Sequence, residues 1–230
     1  MNDIPQLNLA EIDVDGAIRE TADAVNTHSR AGFLRTAGIG GAALMAGGAF
    51  AGALPSLAGA ATIPASDIAI LNFALTLEYL EAAFYAEAVA KGALQSDKET
   101  EHFATVVAQH EEDHVSFLKK VLGAKAVATP TFDFKGTTAD LAMFQATADV
   151  LENTGVHAYL GQVGNIKTKA VLAGAGRILP VEARHAAWIR DIRFSGGTDV
   201  TTTPAPGAFE DGFTKAQILA AVKATGFIVA

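Results

Sequence analysis

The stretch QHEEDHVSFL, residues 109–118, carries Glu111 and His114 three residues apart in a helical, largely apolar region. Residues with this spacing lie on nearly the same face of a helix, so their side chains can reach one point. Such a pair is common on a surface helix and alone favours no function. Its meaning depends on whether the rest of the chain supplies matching side chains.

A second Glu-x-x-His occurs in VEARHAAWIR, residues 181–190, where it is formed by Glu182 and His185. Two pairs with the same spacing on two different predicted helices are much less expected by chance than one pair. A shared function would require further acidic side chains on the remaining helices.

Those acidic side chains are present. LNFALTLEYLEAAFYAEA begins at residue 71 and contains Glu78, and VLENTGVHAYLG begins at residue 150 and contains Glu152. Glu78 lies mid-helix among apolar residues, where an unpaired carboxylate would be costly. Glu81 lies on nearly the same face and stays an alternative to it. The order along the chain is then Glu, Glu-x-x-His, Glu, Glu-x-x-His.

Apolar residues recur with helical periodicity from residue 66 onward. The predicted helices cover about residues 66–91, 97–122, 138–162 and 166–194, with one shorter helix near residues 214–225. Ser66 is predicted to cap the first helix and Gly92 to end it. Ser96 to Glu99 form a capping-box pattern before the second helix. Pro180 is expected to bend or restart the fourth helix.

The connections between helices predict the topology. The link between the first two helices is short, so these helices should be antiparallel neighbours. Residues 123–138 show no helical pattern. About 14 extended residues can span about 46 Å, and a helix of about 25 residues is roughly 38 Å long. We therefore predict an all-α four-helix bundle with a long crossover between the second and third helices, plus a short C-terminal helix.

The ordered acidic and histidine residues match the requirement for a dinuclear carboxylate site inside a four-helix bundle. The predicted ligands are Glu78, Glu111, His114, Glu152, Glu182 and His185. Oxygen-rich ligation with some nitrogen suits two Fe or two Mn ions better than a tetrahedral zinc ion. Glu111 and Glu182 are candidates to bridge the two ions.

Four other side chains fall near this site by helical spacing: His110, His157, Tyr85 and Tyr159. For the histidines, an ordinary core or surface position is the default interpretation, and support of a ligand is the alternative. For the tyrosines, core packing is the default, with a hydrogen-bonding or radical role as the alternative.

Composition narrows the function further. The formal net charge is −8, and no cluster of Lys or Arg appears, which argues against a nucleic-acid partner. The chain has no cysteine, which excludes disulfides, Cys-ligated clusters and cysteine nucleophiles.

Residues 1–61 are predicted to be a leader. SRAGFLR, residues 29–35, precedes an uncharged run from Ala37 to Ala61. A basic flank, an apolar region and a small-residue site at residues 58–60 are typical of an export signal. The remaining interpretations are a membrane contact through residues 37–61 and a retained Gly/Ala-rich helix. The bundle is assigned to residues 62–195 and a C-terminal extension packing on it to residues 196–230.

SRAGFLR also resembles the twin-arginine export motif, with Ala31 in place of the second Arg. Periplasmic or envelope localisation is therefore expected, and a cytoplasmic location stays open because that Arg is missing.

With these motifs in hand, residues 64–225 resemble the ferritin-like superfamily and, within it, exported bacterial proteins of the desiccation-related type. The resemblance rests on the residue 71–88 and 150–161 stretches, both Glu-x-x-His pairs, and PGAFEDGFTKAQIL, residues 206–219. It implies a dinuclear Fe or Mn protein that reacts with O₂ or peroxide in stress protection. A structural or protective envelope protein with a vestigial or purely structural metal site is the alternative, and self-association stays open.

Overall fold

The structure, a computed structural model, describes residues 63–195 and 197–229. Within these residues it contains five α-helices and no strand: α1 Ala65–Lys91, α2 Lys98–Leu122, α3 Leu141–Val163, α4 Lys169–Arg193 and α5 Lys215–Thr225. The first four form the predicted bundle with its long crossover, and the fold class is confirmed. The leader predicted at residues 1–61, including the membrane contact at residues 37–61, lies outside the described residues.

The helix boundaries confirm some sequence signals and correct others. Gly92 ends α1 in the left-handed conformation, with φ of 67°, as predicted. The cap predicted at Ser66 is wrong, because α1 begins one residue earlier, after Pro64. Asp97 rather than Ser96 caps α2, since its carboxylate accepts hydrogen bonds from the Glu99 and Thr100 amides. A charged acceptor also interacts favourably with the positive end of the helix dipole.

The third helix begins later than the sequence pattern predicted. Residues 137–139 form a separate 3₁₀ turn, and α3 begins at Leu141 because the Asp140 side chain accepts a hydrogen bond from the Met143 amide. The middle of the crossover pairs with the C-terminal segment at an isolated bridge between Phe132 and Ile228. The crossover is therefore tied to the chain beyond α5.

The start of α4 depends on a residue in α1. The Asp67 carboxylate is fully buried and accepts hydrogen bonds from the amides of Lys167 and Thr168 at 2.8–3.2 Å. This contact satisfies amides that precede the first turn of α4, which begins at Lys169 instead of near residue 166. Pro180 lies inside α4, and the helix continues through it.

The apolar core divides into two clusters along the bundle. The aromatic cluster includes Phe84, Tyr85, Phe103, Phe134 and Phe144, and α5 adds Ile218 and Val222 to it. The pocket cluster includes Leu71, Ala74, Leu118, Tyr159 and Ala175. On α2 and α4 the predicted metal-ligand residues fall between the two clusters, and on α1 and α3 they lie where members of both clusters alternate along the helix. The polar centre is thus enclosed by apolar packing on both sides.

Among the described residues, α1 is long and apolar enough to cross a membrane, with a mean hydropathy of 1.3. Within the bundle, 61% of its most apolar window is buried. The core helix of a bundle meets the same criterion, so this finding by itself favours no membrane span.

Candidate metal centre

All six residues predicted as ligands lie together at the middle of the bundle. Their ligand atoms form two overlapping groups, each with its atoms within 4.8 Å of one another. The first group contains Glu78, Glu111, His114 and Glu182, and the second contains Glu111, Glu152, Glu182 and His185. Glu111 and Glu182 belong to both groups, which is the arrangement expected of carboxylates that bridge two ions. Neither group contains Glu81.

In the first group, three carboxylates surround one imidazole nitrogen. The Nδ1 atom of His114 lies 3.1 Å from Glu78 Oε2, 3.0 Å from Glu111 Oε2 and 3.1 Å from Glu182 Oε1. A single N–H cannot donate well to three acceptors at once. The side chains therefore converge on one region rather than forming three separate hydrogen-bonded pairs.

The second group repeats this convergence around His185. Its Nδ1 atom lies 3.0 Å from Glu111 Oε1 and 3.2 Å from Glu152 Oε2. Despite these short distances, Nδ1 has no partner in hydrogen-bond geometry. The distances suit donation but the angles do not, and hydrogen bonds weaken steeply when bent.

Unpartnered buried atoms provide a test of whether metal ions fit. Among the residues that the structure describes, five buried side-chain atoms have no hydrogen-bond partner: Glu111 Oε1, Glu152 Oε2, both oxygens of Glu182 and Nδ1 of His185. Leaving such atoms buried and unsatisfied is costly, more so for charged groups. Adjacent ligand atoms about 2.1 Å from one octahedral ion would be about 3 Å apart. The residues present therefore fit divalent cations in both number and spacing.

Electrostatics at the centre favour added positive charge. Burial raises the pKa of Glu182 well above its usual range, and the charges of Glu111 and Glu78 raise it further. Burial also raises the pKa of Glu78, to about 7, against the opposing effect of His114. For His185, burial alone would lower the pKa, but the Glu152 charge and the Glu111 contact raise it to about 10. The centre thus tends to hold protons where cations could bind instead.

Two tyrosines orient the two carboxylates that are not shared. Tyr85 of α1 donates a hydrogen bond to Glu152 of α3, and Tyr159 of α3 donates one to Glu78 of α1. Burial, followed by the charge of the acceptor carboxylate, raises the pKa of both tyrosines, so each hydroxyl keeps the proton that it donates. Both tyrosines therefore have the hydrogen-bonding role that was predicted from the sequence as the alternative to core packing.

The sequence contains a signal for these contacts in the spacing of the tyrosines. EYLEAAFY, residues 78–85, and ENTGVHAY, residues 152–159, both place Tyr seven residues after the carboxylate. That spacing is two helical turns. The repeated Glu-x₆-Tyr predicts that each tyrosine lies on the same face as the carboxylate before it.

The two histidines considered as supports have different positions. His110 Nδ1 lies 2.9 Å from Nε2 of His185, the nitrogen that faces away from the centre, and the two rings are stacked. Burial and the neighbouring His185 lower the pKa of His110, which favours a neutral acceptor. His157 instead contacts the C-terminal extension, with Nδ1 2.6 Å from the Asp211 carbonyl oxygen.

The absence of a side chain at Gly155 makes room for two carboxylates. A Cβ atom at this position would lie 2.7 Å from Glu182 Oε2 and 3.3 Å from Glu81 Oε1. Sequence reasoning missed Gly155, because a glycine inside a predicted helix carries no chemical signal. Glu81 is itself buried, and burial together with the charges of Glu182 and Glu152 raises its pKa well above the usual range.

Comparisons with known proteins agree with this geometry. A search of the curated proteins gives no match to the chain. The sequence model of the ferritin-like domain matches residues 66–195, which include α1 to α4 and all six residues of the two groups. That match covers more than half of the 230 residues, and the chain belongs to the ferritin-like domain family.

Proposed function

We propose that this ferritin-like protein binds two Fe or two Mn ions and reacts with O₂ or peroxide. The observation that carries the proposal is the set of five buried carboxylate and imidazole atoms without hydrogen-bond partners. Such atoms are stabilised when divalent cations neutralise them. Iron and manganese are favoured because the donor set is mainly carboxylate with two imidazoles.

Each residue has a distinct part in holding the ions. Glu78 and His114 would hold one ion, Glu152 and His185 the other, and Glu111 and Glu182 would contact both. When bound, the two ions supply the redox chemistry, by exchanging electrons with the oxidant. The protein contributes the position of the ligands and an environment with little water.

Several side chains support this arrangement without contacting the ions. The Tyr85 and Tyr159 hydroxyls fix the orientation of Glu152 and Glu78. His110 can accept a hydrogen bond from Nε2 of His185, which directs Nδ1 of His185 toward the centre. The aromatic cluster excludes water from one side of the centre.

The biological setting is also a proposal. The leader-like residues 1–61 support export to the periplasm or cell envelope, and the resemblance to desiccation-related proteins supports a role in oxidative or desiccation stress. The reaction would be of the ferroxidase, peroxidase or catalase-like class. Peroxide disproportionation by the manganese-loaded protein would separate the last class from the others.

The rival function is a structural or protective envelope protein whose metal site is vestigial or purely structural. If the site is vestigial, the centre must be stable without metal, although several carboxylates share one buried region. The rival therefore requires that protons alone compensate for the buried charge.

The deciding experiment measures metal content per chain by plasma mass spectrometry on natively purified protein. We expect about two ions per chain in the wild type and a loss of metal in Glu111→Ala. Glu112→Ala is the matched control, because Glu112 is the adjacent acidic residue on the same helix and is exposed. It should retain the wild-type content.

Absence of stoichiometric metal in the wild type, after anaerobic loading with Fe²⁺ or Mn²⁺, would contradict the proposed function and favour the structural rival. Equal loss of metal from both variants would mean that the Glu111 effect is not specific. Circular dichroism of each variant would show whether the helices are retained.

A further inference from the structure

An apolar pocket lies next to the metal centre, where the pocket cluster meets the aromatic cluster. The pocket cluster contributes the buried side chains of Leu71, Ala74, Leu118, Tyr159 and Ala175 to its inner wall, and the aromatic cluster contributes those of Phe73, Leu77 and Ala158. Ile70, Gln162 and Ile166 are only partly buried and form its outer edge. The pocket thus connects the bundle surface with its interior.

The size of the pocket limits what it can hold. Its volume is about 20 Å³, and a single water-sized molecule needs about 10–15 Å³. A diatomic molecule is of suitable size, whereas an acyl chain or an aromatic substrate would need the walls to move apart. Small side chains at Ala74, Ala158 and Ala175 create this space.

The lining determines which small molecule is favoured. A buried water needs two to four polar partners, and the inner wall offers almost none. The Tyr159 hydroxyl is already engaged with Glu78. Hydrogen peroxide, which is strongly hydrogen-bonded in water, would lose those bonds on entry. Dioxygen has no such cost, because it is apolar.

The pocket also lies close to the centre. Tyr159 forms part of its wall and donates a hydrogen bond to Glu78. Ala74 precedes Glu78 by one helical turn on the same face of α1, and Leu118 follows His114 by one turn on α2. A molecule in the pocket is thus separated from the first group of ligands by a single layer of side chains.

We propose that this pocket is a docking site for dioxygen on its way to the metal centre, and that O₂ rather than peroxide enters by this route. The inference rests on the proposed function for its second half, since it names the oxidant of that same centre. Its first half, the binding of a small apolar gas, holds whether or not metal is bound.

The first experiment uses xenon as the probe, because apolar cavities in proteins bind it. Crystals of the full chain would be pressurised with xenon, and one xenon site is expected between Ala74, Tyr159 and Ala175. Ala74→Leu should remove this site by filling the pocket. Ala88→Leu is the matched control, since it makes the same change at a buried alanine of α1 within the aromatic cluster.

The second experiment compares oxidants with iron-loaded protein of equal metal content. Ala74→Leu should slow consumption of dissolved O₂ by about tenfold, which corresponds to a barrier about 1.4 kcal/mol higher. The rate with hydrogen peroxide should stay within about twofold of wild type. Ala88→Leu should leave the ratio of the two rates unchanged.

The outcomes separate this inference from the proposed function. Failure of xenon to bind while metal loading and O₂ consumption are normal would overturn the docking site and leave the proposed function in place. Xenon binding without any metal loading would support the docking site and contradict the proposed function. Equal slowing with O₂ and peroxide, or a copurified long-chain ligand in the pocket, would overturn the selection of dioxygen.

Discussion

The two apolar clusters that enclose the centre are built from side chains of different sizes. In the aromatic cluster, Phe84 stacks on Phe144 with ring centroids 5.2 Å apart and meets Phe134 edge-on at 5.4 Å. In the pocket cluster, Ala74 and Ala175 line the apolar pocket and leave space. One cluster is therefore closely packed and also covered by α5, whereas the other borders a pocket that small alanine side chains leave open.

The largest effect that would test this comparison is a truncation in the aromatic cluster. Phe84→Ala should lower the free energy of unfolding by about 3–5 kcal/mol, because it leaves a cavity in close packing. Leu71→Ala in the pocket cluster should cost near the lower limit of about 2 kcal/mol. Urea denaturation gives both values. Equal losses would mean that the two clusters are packed alike.

A smaller effect is expected when buried alanines are enlarged. Ala88→Leu should destabilise the protein by about 1–3 kcal/mol, because Ala88 is fully buried among aromatic rings. Ala74→Leu should cost less than about 1 kcal/mol, since added methyl groups enter existing space. Thermal unfolding monitored by calorimetry would compare them. A larger loss at Ala74 would refute the presence of usable space in the pocket.

Substitution of the two tyrosines compares the two clusters through their effect on metal affinity. Tyr85→Phe should weaken metal binding by about tenfold to hundredfold, because no water can reach Glu152 through the aromatic cluster. Tyr159→Phe should weaken metal binding by a similar factor, because the apolar wall of the pocket does not support a water that could donate to Glu78 in its place. Chelator competition with Mn²⁺ measures both affinities. A much smaller loss of affinity in Tyr159→Phe than in Tyr85→Phe would show that the pocket admits water as a replacement donor.

The smallest effect concerns the start of α4 at the pocket side. Burial alone would raise the pKa of Asp67, but hydrogen bonds from Thr168 and Lys167 lower it below the usual range of an Asp carboxyl. A carboxylate with a lowered folded-state pKa stabilises the protein above its unfolded-state value, and this contribution is lost as the pH falls. Asp67→Asn should therefore cost about 1 kcal/mol at neutral pH, because hydrogen bonds to a charged acceptor are stronger than those to a neutral amide oxygen.

The same variant should differ less from wild type at acidic pH, below the ordinary Asp pKa of about 3.9, than at neutral pH, because the stabilising contribution of the carboxylate is lost as the pH falls through its lowered folded-state pKa. Urea denaturation at both pH values tests this pH dependence. If the stability difference between wild type and Asp67→Asn is the same at both pH values, the charge of Asp67 is not its cause.

Sequence periodicity predicted the helices and their order because apolar spacing is a local property of each segment. The six clustered side chains were also predictable, since the Glu-x-x-His pairs and the two single glutamates follow one another in a fixed order. Contacts between residues far apart in the sequence were harder to predict. Asp67 contacts Thr168 about a hundred residues away, and nothing in the first turn of α1 indicates that partner.

The observed helix ends differ from the predicted ones for a similar physical reason. Ser96 and Asp97 are both good caps by residue type, and only the backbone conformation decides which one accepts the helix amides. His110 was equally ambiguous, because its role depends on how α2 and α4 pack. Gly155 could be identified only once the carboxylates of other helices were placed beside it.

The bridge between Phe132 and Ile228 has a consequence for the order of folding. The amide of Asp133 donates to the Phe227 carbonyl at 2.9 Å, and that of Val229 donates to Thr131 at the same distance. During synthesis, the crossover emerges well before these partners, so it cannot be fastened until most of the chain has left the ribosome. Contacts of such long sequence separation form slowly, and the bundle should acquire its final topology in a late step of folding.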